Sequence, residues 1–271
     1  MIKIEALRVF PVKSCAGMAV PYFDLHDFGP SYFGIHDRQF MWVDEAGVFV
    51  TQRKFPQMAL VKTFIPSWGS LQIQIQKDQF LISQQTSKSL VPVQVWKSQV
   101  QARHVPGPWE SAMSDFLGLR LRLVEFSNLH PREKTAMFAD GEPYLLLHLN
   151  SVEHLRKQGA HPDVTELNFR GNIIVSSDQE GFADERPEDQ WEQVQFQNAR
   201  LVKTKLCDRC VMVNVSPETG VVDQKENLKV LANPKRPTGV TFGLHLRLEK
   251  HVSAASGLKP PTMVVAEVGQ V

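Results

Sequence analysis

Leu71-Gln72-Ile73-Gln74-Ile75-Gln76-Lys77-Asp78, followed by an apolar run at residues 80–83, decides the fold class. Leu71, Ile73 and Ile75 recur at every second position with glutamines between them, the period at which a β-strand turns one face inward. Lys77-Asp78 is the polar interruption of a hairpin. Residues 41–43 and 48–53, about a turn at Glu45-Ala46-Gly47, predict a second hairpin, and residues 91–96 with 99–102 predict a third. This part of the chain reads as an antiparallel β domain.

The punctuation changes at Pro106-Gly107-Pro108. Residues 109–117 carry apolar side chains at helical spacing and end at Gly118, a C-terminal cap. A division near this point gives residues 1–115 and 116–271. Beyond it, residues 119–126, 173–176, 200–206, 211–215 and 240–248 are strand-like. Asn150 with Glu153 is an N-cap pattern for a helix ending near Gly159, and a short helix is expected near residues 228–232. The sum is a mainly β chain with a few helices, of the α+β kind.

Composition excludes several function classes. Of 271 residues, 42% are hydrophobic and 22% charged, which suits a globular protein, and 30 basic residues balance 29 acidic ones. Such a balance disfavours a broad nucleic-acid or anionic-membrane surface, while leaving room for a local basic pocket. Three cysteines do not build a secreted disulfide framework, the opening Met1-Ile2-Lys3-Ile4-Glu5 lacks a signal-peptide core, and apolar runs such as residues 144–147 are too short to cross a bilayer. The expectation is a cytoplasmic protein with no membrane and no nucleic-acid partner.

Two of the cysteines stand in Cys207-Asp208-Arg209-Cys210, between the strand-like runs 200–206 and 211–215. A redox CxxC needs a helix N-terminus behind its first thiol, and no helical pattern follows here. A β-borne thiolate beside an arginine reads instead as a soft metal ligand next to an anion binder. Read singly, Cys210 is equally a small buried hydrophobe. Zinc would need four ligands, and Cys15, His161 and His245 lack the spacing. Lys13-Ser14-Cys15 places a cation and a hydroxyl where a strand ends, either an oxyanion cradle or a solvated turn. His36-Asp37-Arg38 carries the same ambiguity, its plain reading being a surface ion pair. Asn168-Phe169-Arg170-Gly171-Asn172 precedes an apolar strand and offers bidentate phosphate binding with extra amide donors, or else an arginine paired with Glu166 or Asp163. His148 and Phe138 read as core. Hydrolase, zincin, dinucleotide and P-loop motifs are absent from the sequence.

In order along the chain, Pro11-Val12-Lys13-Ser14-Cys15 with Gly17, Asp37-Arg38, Phe138-Ala139-Asp140-Gly141, Asn168-Phe169-Arg170 with Asn172, Cys207-Asp208-Arg209-Cys210, Pro217 with Thr219-Gly220, and Phe242-Gly243 resemble the MOSC family. That family takes its name from the C-terminal domain of molybdenum cofactor sulfurases. The resemblance is to the group containing the mitochondrial amidoxime reducing component and its bacterial relatives. It implies a MOSC-type β-barrel core with an N-terminal β subdomain, in which residues up to about Arg38 pack with the C-terminal core. It implies a molybdopterin-type molybdenum cofactor with Cys210 as the metal ligand and Cys207 as a neighbour. Lys13, Ser14, Arg38, Asp140, Gly141, Arg170, Asn172, Asp208 and Arg209 are placed around the cofactor, and a weak family analogy extends to pyridoxal phosphate.

The implied activity is reduction of small N-hydroxylated compounds, such as hydroxylaminopurines, amidoximes or hydroxamates, by removal of oxygen at molybdenum. Asp140, Asp208 and His245 are the candidates to relay protons alongside Cys210. With no flavin or nicotinamide fingerprint and too few cysteines for an iron–sulfur cluster, electrons are expected from a separate flavoprotein reductase or small iron–sulfur carrier. The alternative is a non-catalytic cofactor carrier, or a sulfur carrier holding a persulfide on Cys210.

Overall fold

The computed structural model describes residues 2–83, 89–127, 136–177, 186–196, 199–232 and 238–249, and the backbone of 263–268. Strands β1 (Ile2–Val9) and β2 (Met18–Val20) pair antiparallel, and a short ladder of β3 (Ser31–Tyr32) with β4 (Ile35–His36) leads into β5 (Phe40–Asp44). The alternating stretch folds as expected: β6 (Lys62–Ser67), β7 (Ser70–Ile75) and β8 (Asp78–Ser83) form an antiparallel sheet that buries Leu71, Ile73 and Ile75. The third hairpin is β9 (Leu90–Val95) with β10 (Ser98–His104). Helix α1 (Pro108–Leu117) ends at Gly118, whose φ of 67° is the left-handed conformation of a helix cap. Its Trp109, Met113 and Leu117 join Leu71, Ile73 and Ile75 in one apolar cluster, and β11 (Leu121–Phe126) then pairs with both β5 and β10.

The second half supplies β12 (Tyr144–His148), α2 (Leu149–Lys157), β13 (Ile173–Ser177), β14 (Trp191–Phe196), β15 (Ala199–Asp208), α3 (Lys225–Leu231), β16 (Thr241–Leu248) and β17 (Met263–Val268). These strands and the first two form a sheet in the order β13-β12-β16-β15-β14-β17-β1-β2. An additional β1–β13 pairing closes it into a barrel and leaves β2 outside the ring. The barrel interior holds Tyr144, Leu146, Trp191, Val194, Leu244 and Leu246. Leu145 and Leu147 point the other way, against Val152, Leu155 and Leu231 of the two helices. Because both faces of β12 are covered, its sequence is continuously apolar rather than alternating.

One backbone irregularity shapes the mouth of the barrel. Gly243 has φ of 78°, and a Cβ there would lie 2.5 Å from Leu147 and 2.8 Å from the Leu146 carbonyl oxygen. The pairing of β16 with β15 shifts register there, two residues from Leu206 to Asp208 matching three of β16 from Leu244 to Thr241. Such a bulge bends the strand end and re-aims the residues that follow, here Arg209 and Cys210.

Three local expectations need correction. Residues 211–215 are not a strand: Val211–Asn214 form a single 3-10 turn starting at Cys210. Residues 48–53 complete the expected hairpin only in part: Val43 bridges Phe49 antiparallel, the Asp44 N–H reaches the Val48 carbonyl and the Val50 N–H the Trp42 carbonyl, but the chain then turns, with the Phe55 N–H on the Thr51 carbonyl, and the strand partner of β5 is β11. The N-cap of α2 is His148, whose Nδ1 accepts the Asn150 N–H at 3.1 Å, because the helix leaves β12 without a loop. His148 is buried as expected. The expectations for the tail beyond residue 251 fall outside the described residues, apart from the backbone of β17.

Glu188, in the 3-10 turn Pro187–Gln190, is fully buried; one carboxyl oxygen bonds the Ser151 hydroxyl of α2, and Oε1 has no partner. Burial raises its pKa from an ordinary 4.5 to about 7. The folded state therefore holds the proton more tightly than the unfolded chain does. Its stabilising effect is complete below pH 4.5 and is lost as pH rises through about 7. Urea unfolding of the cofactor-free protein is expected to lose roughly 3 kcal/mol between pH 5 and 8, and Glu188→Gln to flatten that profile.

Candidate functional site

Where the outward face of β12 and β16 meets loops of the hairpin unit, a cavity of about 290 Å³ opens. Lys13, Ser14, Arg38, Asp140, Gly141, Arg170, Asn172, Asp208, Arg209, Cys210 and His245 all line it, so it brings together the residues that the resemblance places around the cofactor and in proton relay, while Cys15, His36, His148 and His161 do not line it. Their loops are set in strained backbone: Ser14, Arg38 and Arg170 have φ of 66°, 50° and 59°. Left-handed conformations of non-glycine residues concentrate where function needs a side chain aimed against local preference.

The deepest part is organised by Asp37, only 3% exposed. Its Oδ1 accepts the Phe10 N–H at 2.7 Å and the Asn172 amide at 3.1 Å, while Oδ2 pairs with Arg38. The surface-pair reading of Asp37-Arg38 is thus overturned. Burial pushes the Asp37 carboxyl above its usual range against the pull of Arg38. The guanidinium groups of Arg38 and Arg170 pack on the same Phe10 ring, 4.3 and 4.5 Å from its centroid. Arg170 donates to the Cys15 carbonyl at 2.8 Å. Its burial, and then the Arg38 charge, pull its pKa down to about 9, which leaves it a cation at neutral pH.

Asn168 and Asn172 are not spare donors. The Asn168 amide serves the carbonyls of Val213 and Val215 and the Gln224 side chain, and its oxygen takes the Thr165 N–H. The Asn172 amide serves Arg8 and Asp37, and its oxygen takes the Leu145 N–H. Both hold Arg170 in place by fixing the chain on either side of it.

Arg209 donates to the Phe242 carbonyl at 2.6 and 2.8 Å and to the Phe169 carbonyl at 2.9 Å. The rings of Phe169 and Phe242 stack 4.1 Å apart beneath it. The two thiols of the segment differ in environment. Cys207 sits in the apolar cluster under the helices, and burial raises its pKa. Cys210 is half-buried on the cavity wall. Cys15 is fully buried, and burial pushes its thiol up to about 12.

On the opposite wall Lys13 is buried, donates to the Phe138 carbonyl at 2.8 Å and pairs with Asp140. Asp140 also accepts Trp96 Nε1 at 2.8 Å and faces Arg53 at 3.4 Å. Burial opposes its charge, but Lys13, Trp96 and Arg53 bring the carboxyl down to about 2. Asp140 is therefore an anchored anion and holds no proton near neutrality. His245 lies over Gly141, where a Cβ would stand 2.9 Å from its Nε2. Burial, reinforced by Arg209, pulls His245 down to about 4, so the ring is neutral. Its contact with the Tyr144 carbonyl at 3.4 Å assigns the proton to Nδ1 and leaves a lone pair on Nε2, on the side of Gly141. Asp208 is 74% exposed and bonded to Lys205 at 2.6 Å, which lowers its pKa.

The lining carries six cationic residues, Lys13, Arg38, Arg53, Arg170, Lys205 and Arg209, against four carboxylates, Asp37, Asp140, Glu142 and Asp208. Among the described residues, Arg170 and Arg209 form hydrogen bonds to backbone carbonyls and no ion pair. A buried charge left without a counter-charge is costly, and an anionic ligand with phosphate oxygens would supply one. A half-buried thiol beside that cluster suits a soft, thiolate-accepting metal. The residues fit a molybdopterin-type cofactor. They do not fit pyridoxal phosphate, because both lining lysines are held in ion pairs rather than free to form a Schiff base. Of the contacts made here, sequence reasoning missed Arg53, Trp96 and Lys205. No local pattern marks them, since their partner Asp140 or Asp208 meets them only through the fold or through one turn of strand.

A closed barrel with an appended β unit and a cation-rich cavity between them defines a MOSC-type protein. The chain matches the MOSC N-terminal beta barrel domain over residues 1–120 and the MOSC domain over residues 133–259, and it belongs to this family. Mitochondrial amidoxime-reducing component 1 of Mus musculus is 28% identical to it over 243 residues, covering 84% of this chain and 70% of that protein. The Homo sapiens protein of the same name is 26% identical over the same span. Molybdenum cofactor sulfurase of Arabidopsis thaliana is 25% identical over 284 residues, 91% of this chain and 33% of its own. Among solved structures, the YUAD protein from Bacillus subtilis aligns with a TM-score of 0.45 at 9% identity, over 100% of this chain and 98% of that one. No helix among the described residues is long and apolar enough to cross a membrane.

Asp37, paired with Arg38, and Asp208, paired with Lys205, are expected to behave differently on neutralisation. Asp37→Asn leaves Arg38 buried without its counter-charge and should cost roughly 3–5 kcal/mol, whereas Asp208→Asn breaks an exposed pair and should cost less than about 1 kcal/mol. Urea unfolding of the two cofactor-free variants checks the contrast.

Proposed function

We propose that this protein is a molybdenum-cofactor enzyme that reduces N-hydroxylated compounds, among them hydroxylaminopurines, amidoximes and hydroxamates. Each turnover cleaves an N–O bond, consumes two electrons and two protons, and releases water and the amine-type product. The observation that carries this reading is the pair of half-buried guanidinium groups without a carboxylate partner, Arg170 and Arg209, on the same cavity as the half-buried Cys210. The relatives named for amidoxime reduction and for the molybdenum cofactor support it.

When bound, the cofactor would supply the two-electron, oxygen-accepting chemistry. The chain's own groups would bind and orient. Arg38 and Arg170, clasping Phe10, would grip the phosphate end, with Ser14 beside them. Arg209 would add charge while bracing the Phe169 and Phe242 carbonyls, and Cys210 Sγ would be the thiolate ligand. Gly141 keeps the space in front of His245 clear, so that Nε2 can accept a hydrogen bond from an N–OH group. Asp140, ionised at all working pH values, would position Lys13 rather than donate a proton. Asp208 stands at the open side, where it can exchange protons with water. Electrons would arrive from a separate flavoprotein or small iron–sulfur carrier, since three cysteines, one of them given to the metal, are too few for a cluster.

Protein purified from a host that makes the cofactor is expected to contain about one molybdenum per chain, and stoichiometric zinc without molybdenum would refute the assignment. With reduced viologen and benzhydroxamate, Cys210→Ala should abolish reduction and Cys207→Ala should retain a measurable fraction. Nicotinamide alone should drive no turnover. A loaded protein that binds the cofactor yet reduces no N-hydroxylated substrate would favour a carrier role.

A further inference from the structure

A second cavity, of about 140 Å³, opens between the barrel half of the chain and the hairpin unit. Asn168, Arg170 and Met212 line both it and the main cavity, so the two spaces adjoin at those side chains. Leu167, Val215 and Pro217 wall it from the second half of the chain, and Gln52 and Ala59 from the hairpin unit. No carboxylate lines it among the described residues.

Gln52 has no structural reason to be there. It lies in the turn where the Phe55 N–H reaches the Thr51 carbonyl, it is only 4% exposed, and its amide makes no hydrogen bond among the described residues. Enclosing an amide without partners is costly. The other polar groups of the cavity are committed to the fold. Arg8 Nη2 pairs with Glu166 at 2.9 Å and its Nε is sealed off, Arg170 holds the Cys15 carbonyl, and the Asn168 amide serves Val213, Val215 and Gln224. The Gln52 amide atoms are not among those sealed off, so they stay open to the cavity.

Size and chemistry together describe a flat ring with one amide-like edge. A space of about 150 Å³ is enough for a single six-membered ring. A primary amide presents an acceptor oxygen beside a donor nitrogen, the pattern that pairs in two bonds with a ring edge carrying adjacent N–H and C=O groups. Phe10 and the Met212 thioether give the faces of such a ring apolar, polarizable contacts.

We propose that the second cavity receives the aminopyrimidinone ring of the cofactor's pterin, and that Gln52 reads its lactam edge, accepting from the ring N–H and donating to the ring carbonyl. The inference rests on the molybdenum-cofactor reading above and adds the residue that recognises the pterin end. Arg170, which borders both cavities, then stands between the phosphate and the ring.

The test begins with full-length cofactor-free protein titrated with 6-hydroxymethylpterin, which carries no phosphate, dithiolene or metal, and follows the fluorescence of the pterin. Saturable binding is expected in the wild type. Gln52→Leu should weaken it about tenfold, as loss of the partner of a buried amide edge predicts. The 3-methyl derivative of the same pterin, which lacks the lactam N–H, should bind the wild type more weakly by a similar factor. Because Gln52 gives the protein no hydrogen bond, cofactor-free Gln52→Leu should unfold in urea at the wild-type midpoint. From a host that makes the cofactor, dialysed Gln52→Leu should also yield less oxidised pterin per chain than the wild type. No pterin binding by the wild type, equal affinity in Gln52→Leu, or no discrimination against the 3-methyl derivative overturns the inference. If the wild type from that host carries no molybdenum, the cofactor reading fails, and the pterin titration alone then decides whether the cavity takes the ring.

Discussion

The carboxylate of Asp37 can be buried only if its oxygens find donors, and those donors are the next residue and two distant parts of the chain. Phe10 supplies a backbone N–H from the end of β1, Asn172 an amide from the entry to β13, and Arg38 its guanidinium. Satisfying that one anion locks the segments that carry Lys13, Arg38 and Arg170 into a common frame. The consequence is visible in Phe10, whose ring receives two like-charged guanidinium groups. Two cations accept such proximity in a buried place when something else there is negative. Asp37 accounts for part of that charge, and the cavity is arranged so that a ligand accounts for the rest.

The same economy of polar groups explains which side chains face the cavity and which only hold others. Asn168 and Asn172 look like ligand donors in sequence, yet every amide proton they own is given to the protein. Their service is to fix Arg170 in a left-handed backbone conformation. Arg209 is similarly pinned by carbonyls but keeps its full charge, because carbonyl dipoles solvate a guanidinium without neutralising it. Cys207 and Cys210, three positions apart, part company for a comparable reason. The bulge at Gly243 leaves the first thiol under α2 and α3 and turns the second toward the mouth.

Closure of the barrel by β1 is what makes these placements possible. A strand from the very start of the chain pairs with β13, β17 and β2, so the loops that leave its C-terminal end sit over the barrel rather than in the hairpin unit. The hairpin unit then needs only to press one wall against the cavity, and it does so through Arg53 and Trp96 on Asp140. A site at such a junction takes its deep, charged floor from the barrel and its rim from the attached unit.

Sequence by itself determined the elements whose signal is periodic and local: the hairpins at Leu71–Ile75 and Val91–Val100, the helix stopped by Gly118, and the strands at Ile173 and Thr241. It also determined most of the chemical inventory of the cavity, because Lys13, Arg38, Arg170, Arg209 and the Cys210 thiol are recognisable as residue types in an ordered series of motifs, whereas Arg53 and Lys205 are not. Tertiary structure alone decided what each of them does. The turn at Val211–Asn214 has β-branched residues and reads as a strand, but among the described residues no neighbouring strand offers it a ladder, and the Asn168 and Asn227 amides both donate to the Val213 carbonyl instead. His148 became a helix cap because burial left its Nδ1 only one donor to meet. Asp37 became the keystone through Phe10 and Asn172, and Asp140 an anchored anion through Lys13, Trp96 and Arg53, all more than twenty residues away. Contacts of that span carry no periodic signature, since they are set by barrel closure and by the packing of two β units.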